Sequence, residues 1–113
     1  MTKINENVAI QFVKGKDEID LPEIRLFRNI DGKKGQAVYK FHKPSTITPE
    51  NFNSIKKMYL IDEEGELSTR KIDLSISKNF IKKVKSTYSW YSEKEFERFM
   101  RFAKRYANSL TKY

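Results

Sequence analysis

The last segment of the chain carries a helical repeat of apolar residues, and this repeat constrains the fold more than any other feature. Apolar side chains recur there at spacings of three and four residues: Phe96, Phe99, Met100, Ala103, Tyr106, Ala107 and Leu110. A helix with this spacing has one wide apolar face, which must be buried against another element. Because Ser92 and Glu95 form a capping box, we predict a helix that begins at Ser92 or Glu93 and ends near Leu110.

Upstream of this helix, apolar residues alternate with a period of two, which is typical of β-strands. The pattern predicts a first strand over residues 8–13 and a β-hairpin over residues 23–42. Gly32 and Gly35 lie in the turn of the hairpin, where we expect both to allow positive φ. Further strands are predicted at three places: residues 55–61, 66–76 and 80–90.

These elements predict an α+β fold, with an antiparallel β-sheet of about five to six strands and a C-terminal α-helix packed across one face. The chain has 113 residues and shows no internal repeat, linker or low-complexity stretch. We therefore expect a single domain over residues 1–113, with a flexible N-terminus at residues 1–7. The apolar face of the helix is expected to pack against sheet residues such as Ile10, Leu26 and Tyr39.

The positive charge of the chain is concentrated in its last third. Residues 1–77 hold 13 Lys and Arg against 12 Asp and Glu, whereas residues 78–113 hold 10 against 3, which gives balances of +1 and +7. A one-sided basic surface indicates an anionic partner, which could be nucleic acid, anionic lipid or an acidic protein face. The alternative is that these lysines and arginines only solvate the surface.

The sequence offers little chemistry for catalysis. It has no cysteine, which excludes a disulfide, a thiolate zinc site and a cysteine nucleophile. The one histidine, His42, is expected to be an ordinary surface residue. The acidic cluster at residues 62–66 does not have the spacing of a calcium loop, so a solvated turn is the preferred interpretation. We predict a protein that is not an enzyme and has no catalytic residue, metal or cofactor.

No segment has the features of a membrane span or a secretory signal. No apolar run approaches the roughly 20 residues that cross a bilayer. Residues 1–7 are polar and lack the apolar centre of a signal peptide. We expect that a role at a membrane would be carried out from its surface.

The basic helix allows a second interpretation, in which the chain is a small RNA- or DNA-binding domain. Arg98, Arg101, Lys104 and Arg105 could follow a phosphate backbone, and three neighbouring aromatic residues could stack on bases: Tyr88, Trp90 and Tyr91. The competing interpretation is that these aromatic residues belong to the core.

Several short motifs occur in an order that resembles a known family. They are Gln11-Phe12 with Gly15; Pro22, Arg25-Leu26 and Arg28; Asp31-Gly32, Gly35 and Ala37; Met58-Tyr59 with the acidic residues 62–66; Thr69-Arg70; and residues 97–102 (ERFMRF) with residues 105–107 (RYA). Their order and spacing resemble the photosystem II reaction-centre Psb28 family, also known as the photosystem II thirteen-kilodalton proteins. The resemblance covers roughly residues 10–107.

The resemblance implies a non-catalytic photosystem II assembly or repair factor that carries no pigment. Such a protein would bind assembly intermediates that contain the inner-antenna chlorophyll protein, through the C-terminal tail of that protein and the reaction-centre loops. It would be peripheral to the thylakoid membrane, on its stromal or cytoplasmic side and near the electron acceptors. Nucleic acid is then not an expected partner.

A tail from another protein can extend a β-sheet by pairing with an exposed strand edge, and basic side chains can assist that binding. We predict seven partner-binding residues, on the strands and turns and on the helix: Arg25, Arg28, Lys33, Arg70, Arg98, Arg101 and Arg105.

Overall fold

The computed structural model describes residues 8–77 and 80–110. The strands are β1 (Ala9–Val13), β2 (Lys16–Asp17), β3 (Glu23–Arg28), β4 (Gly35–Phe41), β5 (Met58–Asp62), β6 (Gly65–Thr69), β7 (Ile72–Ser77) and β8 (Phe80–Trp90). A 3-10 turn spans Phe52–Ser54, and helix α1 spans Glu93–Leu110. The expected flexible N-terminus, residues 1–7, lies outside the described residues.

The strands form two antiparallel sheets of four strands each. Sheet A has the order β2-β1-β5-β6, and sheet B has the order β3-β4-β8-β7. The α+β fold with a C-terminal helix on a sheet is confirmed, but the structure has two sheets where the sequence suggested one of five to six strands. The predicted strand over residues 66–76 divides at Arg70 and Lys71, because β6 continues the hairpin with β5 whereas β7 pairs with β8.

The predicted hairpin over residues 23–42 is confirmed as β3 and β4, which pair from Glu23 opposite Lys40 to Arg28 opposite Gly35. Gly32 has φ 75°, as expected for its turn. The expectation of positive φ at Gly35 is wrong. Glycine is needed at this position because the neighbouring atoms leave no room for a side chain. A Cβ at this position would lie 2.3 Å from the carbonyl oxygen of Phe27 and 2.6 Å from Cζ2 of Trp90.

The helix begins and ends where the sequence predicts, and its cap explains the start. The hydroxyl of Ser92 accepts a hydrogen bond from the N–H of Glu95 at 3.1 Å. The carboxylate of Glu95 accepts from the N–H of Tyr91 at 2.9 Å, one residue before the usual partner in a capping box. Within the described residues, α1 is the only helix longer than one turn, and it is too polar to span a membrane.

One hydrophobic core joins both sheets and the helix. Its buried residues are Ile10, Phe12, Met58 and Leu60 from sheet A, Ala37, Tyr39, Phe41, Val84 and Trp90 from sheet B, Ile47 from the loop after β4, and Phe99, Phe102 and Tyr106 from α1. The ring of Phe99 stacks on Trp90 with centroids 5.2 Å apart. The helix thereby contacts β8 of sheet B and β5 of sheet A, and it closes the core between the sheets.

The buried face of α1 is rotated from the predicted stripe. Phe102, which the stripe omitted, is fully buried together with Phe99, whereas Leu110 is exposed. Of the other predicted residues, Tyr106 is buried and Ala107 is exposed, and three form a half-buried margin: Phe96, Met100 and Ala103. The rotation leaves Arg98 and Arg105, which an apolar pattern assigns to solvent, only 18% and 25% exposed at their side chains.

We predict that Phe99→Ala lowers the free energy of unfolding by about 3–5 kcal/mol, because it removes a large buried side chain and leaves a cavity. The matched control is Phe27→Ala on β3, where the ring is 50% exposed, and we expect a loss below about 1 kcal/mol. Urea unfolding of the three proteins measures both effects. Equal losses for the two variants would contradict the assignment of the α1 face to the core.

Candidate docking site

Strand β3 forms one edge of sheet B, and all of its residues are exposed. Its apolar side chains are exposed as well: Ile24 by 42%, Leu26 by 46% and Phe27 by 50%. The prediction that Leu26 lies in the core is therefore wrong. The reason is that α1 packs on β8 and β5, so the inner side of β3 stays largely open.

The hydrogen-bond phase of the hairpin decides which backbone groups of β3 face its open edge. The N–H of Asn29 donates to the carbonyl of Lys34 at 2.9 Å. In an antiparallel ladder, alternate residues direct their backbone groups to the same neighbour, so every second residue back from Asn29 also faces β4. The residues between them, Ile24, Leu26 and Arg28, therefore direct their N–H and C=O groups away from β4, toward the open edge.

The other three sheet edges are shorter, irregular or partly covered. β2 has only two residues. The edge of β6 lies beside β8, where the hydroxyl of Thr69 donates to the carbonyl of Thr87 at 2.6 Å. The pairing of β7 with β8 shifts register between Ser75 and Ile76. Among the described strands, β3 is thus the longest regular edge that a further strand can join.

Four of the seven predicted partner-binding residues lie around sheet B and its junction with sheet A. Arg25 is exposed on β3, Lys33 is exposed in the hairpin turn, and Arg70 is exposed between β6 and β7. Arg28 is held in place, because its guanidinium lies 3.9 Å from the centroid of the Phe96 ring.

The other three predicted residues, Arg98, Arg101 and Arg105, converge on the turn between β5 and β6. Arg98 and Arg105 both bind Asp62, at 2.7 Å from Nη2 to Oδ1 and 2.9 Å from Nη1 to Oδ2. The carboxylate of Glu64 accepts hydrogen bonds from Nε of Arg101 at 2.7 Å and from Nη1 of Arg105 at 2.6 Å. We refer to these five residues as the arginine–carboxylate cluster; it connects α1 to sheet A.

The cluster is charged and partly buried. Burial of Asp62, whose side chain has no exposed surface, opposes its ionisation, but the hydrogen bonds from Arg98 and Arg105 outweigh burial and lower the pKa of this carboxyl. The hydrogen bond from Arg101, followed by that from Arg105, lowers the pKa of Glu64 to about 2. Both carboxylates are therefore ionised at neutral pH.

The expectation of a solvated acidic turn is wrong for Asp62 and Glu64. Glu63 and Glu66 are exposed, at 66% and 39% of their side chains. No local sequence pattern indicates the cluster, because Asp62 and Arg98 are 36 positions apart. The aromatic residues near the helix also belong mainly to the core, since Trp90 is fully buried and only Tyr91 is exposed.

The described residues bring together no group of three His, Cys, Asp or Glu side chains that could hold a metal ion. His42 is exposed, and its Nε2 lies 2.9 Å from a carboxylate oxygen of Glu23 on the neighbouring strand β3. This pair lowers the pKa of Glu23 through the hydrogen bond and the adjacent imidazole.

Comparison with known proteins places the chain in a family. The family described as Psb28 protein matches residues 10–111. The chain belongs to the Psb28 family. A relative from Prochlorococcus marinus (strain NATL2A), named photosystem II reaction center Psb28 protein, is 74% identical over 111 residues, which are 98% of this chain and 98% of the relative.

A second Psb28 relative, from Synechococcus sp. (strain CC9902), carries the same name and is 43% identical over 109 residues, which are 96% of this chain and 83% of the relative. The part of the chain that matches the Psb28 family contains the whole β3 edge, the arginine–carboxylate cluster and all of α1. The candidate docking site therefore lies within the Psb28 portion of the chain.

The depressed pKa values of Asp62 and Glu64 predict a loss of stability in acid. Their folded-state values lie below the ordinary 3.8 and 4.5, so their stabilising effect is complete above roughly pH 5 and is lost as the pH falls toward about 2. We expect Glu64→Gln to be less stable than the parent at pH 7. As the pH falls from roughly 5 to about 2, this variant should lose less stability than the parent does.

The matched control for this prediction is Glu63→Gln, because Glu63 is exposed and its nearest oxygen lies 3.7 Å from Arg105. Urea unfolding midpoints measured from neutral to acid pH compare the three proteins. If Glu64→Gln and the parent show the same pH dependence, Glu64 contributes no linked stabilisation and the cluster is not the acid-sensitive link described above.

Proposed function

We propose that this chain is a non-catalytic photosystem II assembly and repair factor. It binds intermediates that contain the inner-antenna chlorophyll protein, near the electron-acceptor side. It is peripheral to the thylakoid membrane, on the cytoplasmic or stromal side. Support for a photosystem II role comes from family membership and from the relatives, which are named photosystem II reaction center Psb28 protein.

The open edge of β3 is the observation that carries the docking mode. Ile24, Leu26 and Arg28 direct their backbone groups outward, so an extended C-terminal tail of the antenna protein can add one strand to sheet B. Leu26 stands opposite Ala37, and Ile24 opposite Tyr39, so both apolar side chains lie on the inner face of the sheet. They offer an apolar surface to alternate side chains of the tail, which supplies specificity.

The basic residues have a secondary role in this proposal. Arg25, Lys33 and Arg70 are exposed and can steer acidic or lipid-facing surfaces of the reaction centre toward the sheet edge. Exposed ion pairs contribute about 0–1 kcal/mol each, so they orient the complex more than they stabilise it. Arg98, Arg101 and Arg105 already bind Asp62 and Glu64. They can contact a partner only with the N–H groups that these carboxylates leave unused, or by giving up part of these ion pairs.

The alternative of a nucleic-acid-binding domain receives less support. Such a domain needs basic side chains free for phosphates and aromatic rings free for bases. The arginines of α1 are bound to Asp62 and Glu64, and Trp90 is buried in the core. These contacts favour a protein partner at the sheet edge over RNA or DNA along the helix.

We predict that Leu26→Pro weakens binding to isolated photosystem II intermediates by at least about tenfold, since proline removes a backbone donor that faces the open edge. The fold should tolerate this proline, because the N–H at this position makes no bond to β4 and edge strands accept proline where the N–H faces solvent. Leu26→Ala is the control, because it shortens the same side chain and keeps the N–H.

Retention of each purified variant on intermediates and on mature complexes, at low and moderate salt, measures the effect. Thermal unfolding shows whether Leu26→Pro remains folded. Equal retention of Leu26→Pro and Leu26→Ala on intermediates would contradict docking through the β3 backbone. Equal binding of the parent to mature complexes and intermediates would contradict the assembly role, and so would tight, salt-sensitive binding to RNA alone.

A further inference from the structure

A groove of about 400 Å³ lies where the chain crosses from sheet A to sheet B, away from the β3 edge. Its walls are the end of β6, the junction between β6 and β7, and the end of β8 with the residue that follows. The side chains that matter for its chemistry are Ser68, Arg70, Lys71, Tyr88, Ser89 and Tyr91. Its volume falls within the roughly 300–1,000 Å³ of small-molecule sites.

The groove carries positive charge that the described chain leaves unneutralised. Arg70 and Lys71 are consecutive and exposed, and none of the described residues that line the groove is Asp or Glu. Within residues 8–77 and 80–110, neither side chain has an ion-pair partner, in contrast to the arginines of α1. A guanidinium beside an ammonium is a strong binding arrangement for an oxyanion with two negative charges.

A backbone donor faces the same space. The N–H of Thr87 donates to the carbonyl of Lys71 at 3.0 Å, on the side of β8 that faces away from β4. Two residues further along the strand, the N–H of Ser89 faces the same side. The pairing of β7 begins with Ile72 opposite Ser86, so β7 does not extend to Ser89, whose N–H faces the side of β8 on which Arg70 and Lys71 lie.

We propose that this groove binds a phosphate monoester that carries an aromatic or heterocyclic ring. The phosphate lies between Arg70 and Lys71 and accepts hydrogen bonds from the Ser89 N–H and the nearby serine hydroxyls. The ring lies on Tyr91, whose side chain is 66% exposed beside the groove and offers a flat surface. This site shares Arg70 with the docking proposal but does not use the β3 edge, so it stands even if docking through β3 is contradicted.

Isothermal titration of the full chain at constant ionic strength, with inorganic phosphate and with phenyl phosphate as probes, tests the proposal. We expect saturable binding of both probes and tighter binding of phenyl phosphate. Arg70→Gln/Lys71→Gln should weaken both by about tenfold or more, because each charged hydrogen bond is lost. Tyr91→Ala should remove the preference for phenyl phosphate and leave inorganic phosphate within about twofold of the parent.

The matched control is Lys43→Gln/Lys104→Gln, which removes the same charge at two exposed positions outside the groove. This control should bind both probes as the parent does, and thermal unfolding should show that all variants are folded. Equal weakening in the two double variants would overturn the proposal in favour of general charge attraction. Binding to vesicles of phosphatidylcholine with phosphatidic acid, but to neither soluble probe, would also overturn it, as would no saturable binding at all.

Discussion

The phase of the hydrogen-bond ladder in sheet B decides which backbone groups face an edge that a further strand could join. In an antiparallel sheet each residue directs its backbone groups to one neighbour only, so a single bond sets the direction of all the others along a strand. The Asn29–Lys34 bond sets this phase for β3, and the Thr87–Lys71 bond sets it for β8. The phases of β3 and β8 are consistent with each other through β4. Val38 stands opposite both Arg25 on β3 and Thr87 on β8, and its backbone groups bond to β3 alone.

This shared phase connects the two proposed binding surfaces. At one edge it leaves the backbone groups of Ile24, Leu26 and Arg28 open to an added strand. At the other side of the sheet it directs the N–H of Ser89 away from β4, toward the side on which Arg70 and Lys71 lie. The arginine–carboxylate cluster and the core hold α1 against both sheets, so neither surface requires the helix to move.

Local signals made the helix and the hairpin predictable from the sequence. The Ser92 cap, the apolar spacing of α1 and the glycine at position 32 each act over a few residues, and the structure confirms what they predict. The division of residues 66–76 into β6 and β7 depends on which strands they pair with, and no local pattern encodes that choice. The exposure of Leu26 has the same origin, since it depends on how far α1 extends across sheet B.

The charge pattern of the sequence indicates where the basic residues are concentrated, but it does not indicate which acidic residues pair with them. The excess of basic residues in the last third suggested a free basic helix, but Asp62 and Glu64 bind three of its arginines from a turn more than thirty positions upstream. In the described part of the chain, the exposed basic residues without an ion-pair partner include Arg70 and Lys71 at the junction of the two sheets. Hydrogen bonds from the arginines, which outweigh the opposing effect of burial, keep Asp62 and Glu64 ionised.

Amide hydrogen exchange of the chain, free and bound to photosystem II intermediates, tests most directly whether β3 is the docking edge. In the free chain, the amides of Ile24, Leu26 and Arg28 should exchange quickly, whereas those of Arg25 and Phe27 should be protected by β4. Binding should protect the three outward amides, because they gain partners in the added strand. If these three amides keep their exchange rates in a stable complex while protection appears elsewhere, the β3 edge is not where this protein docks.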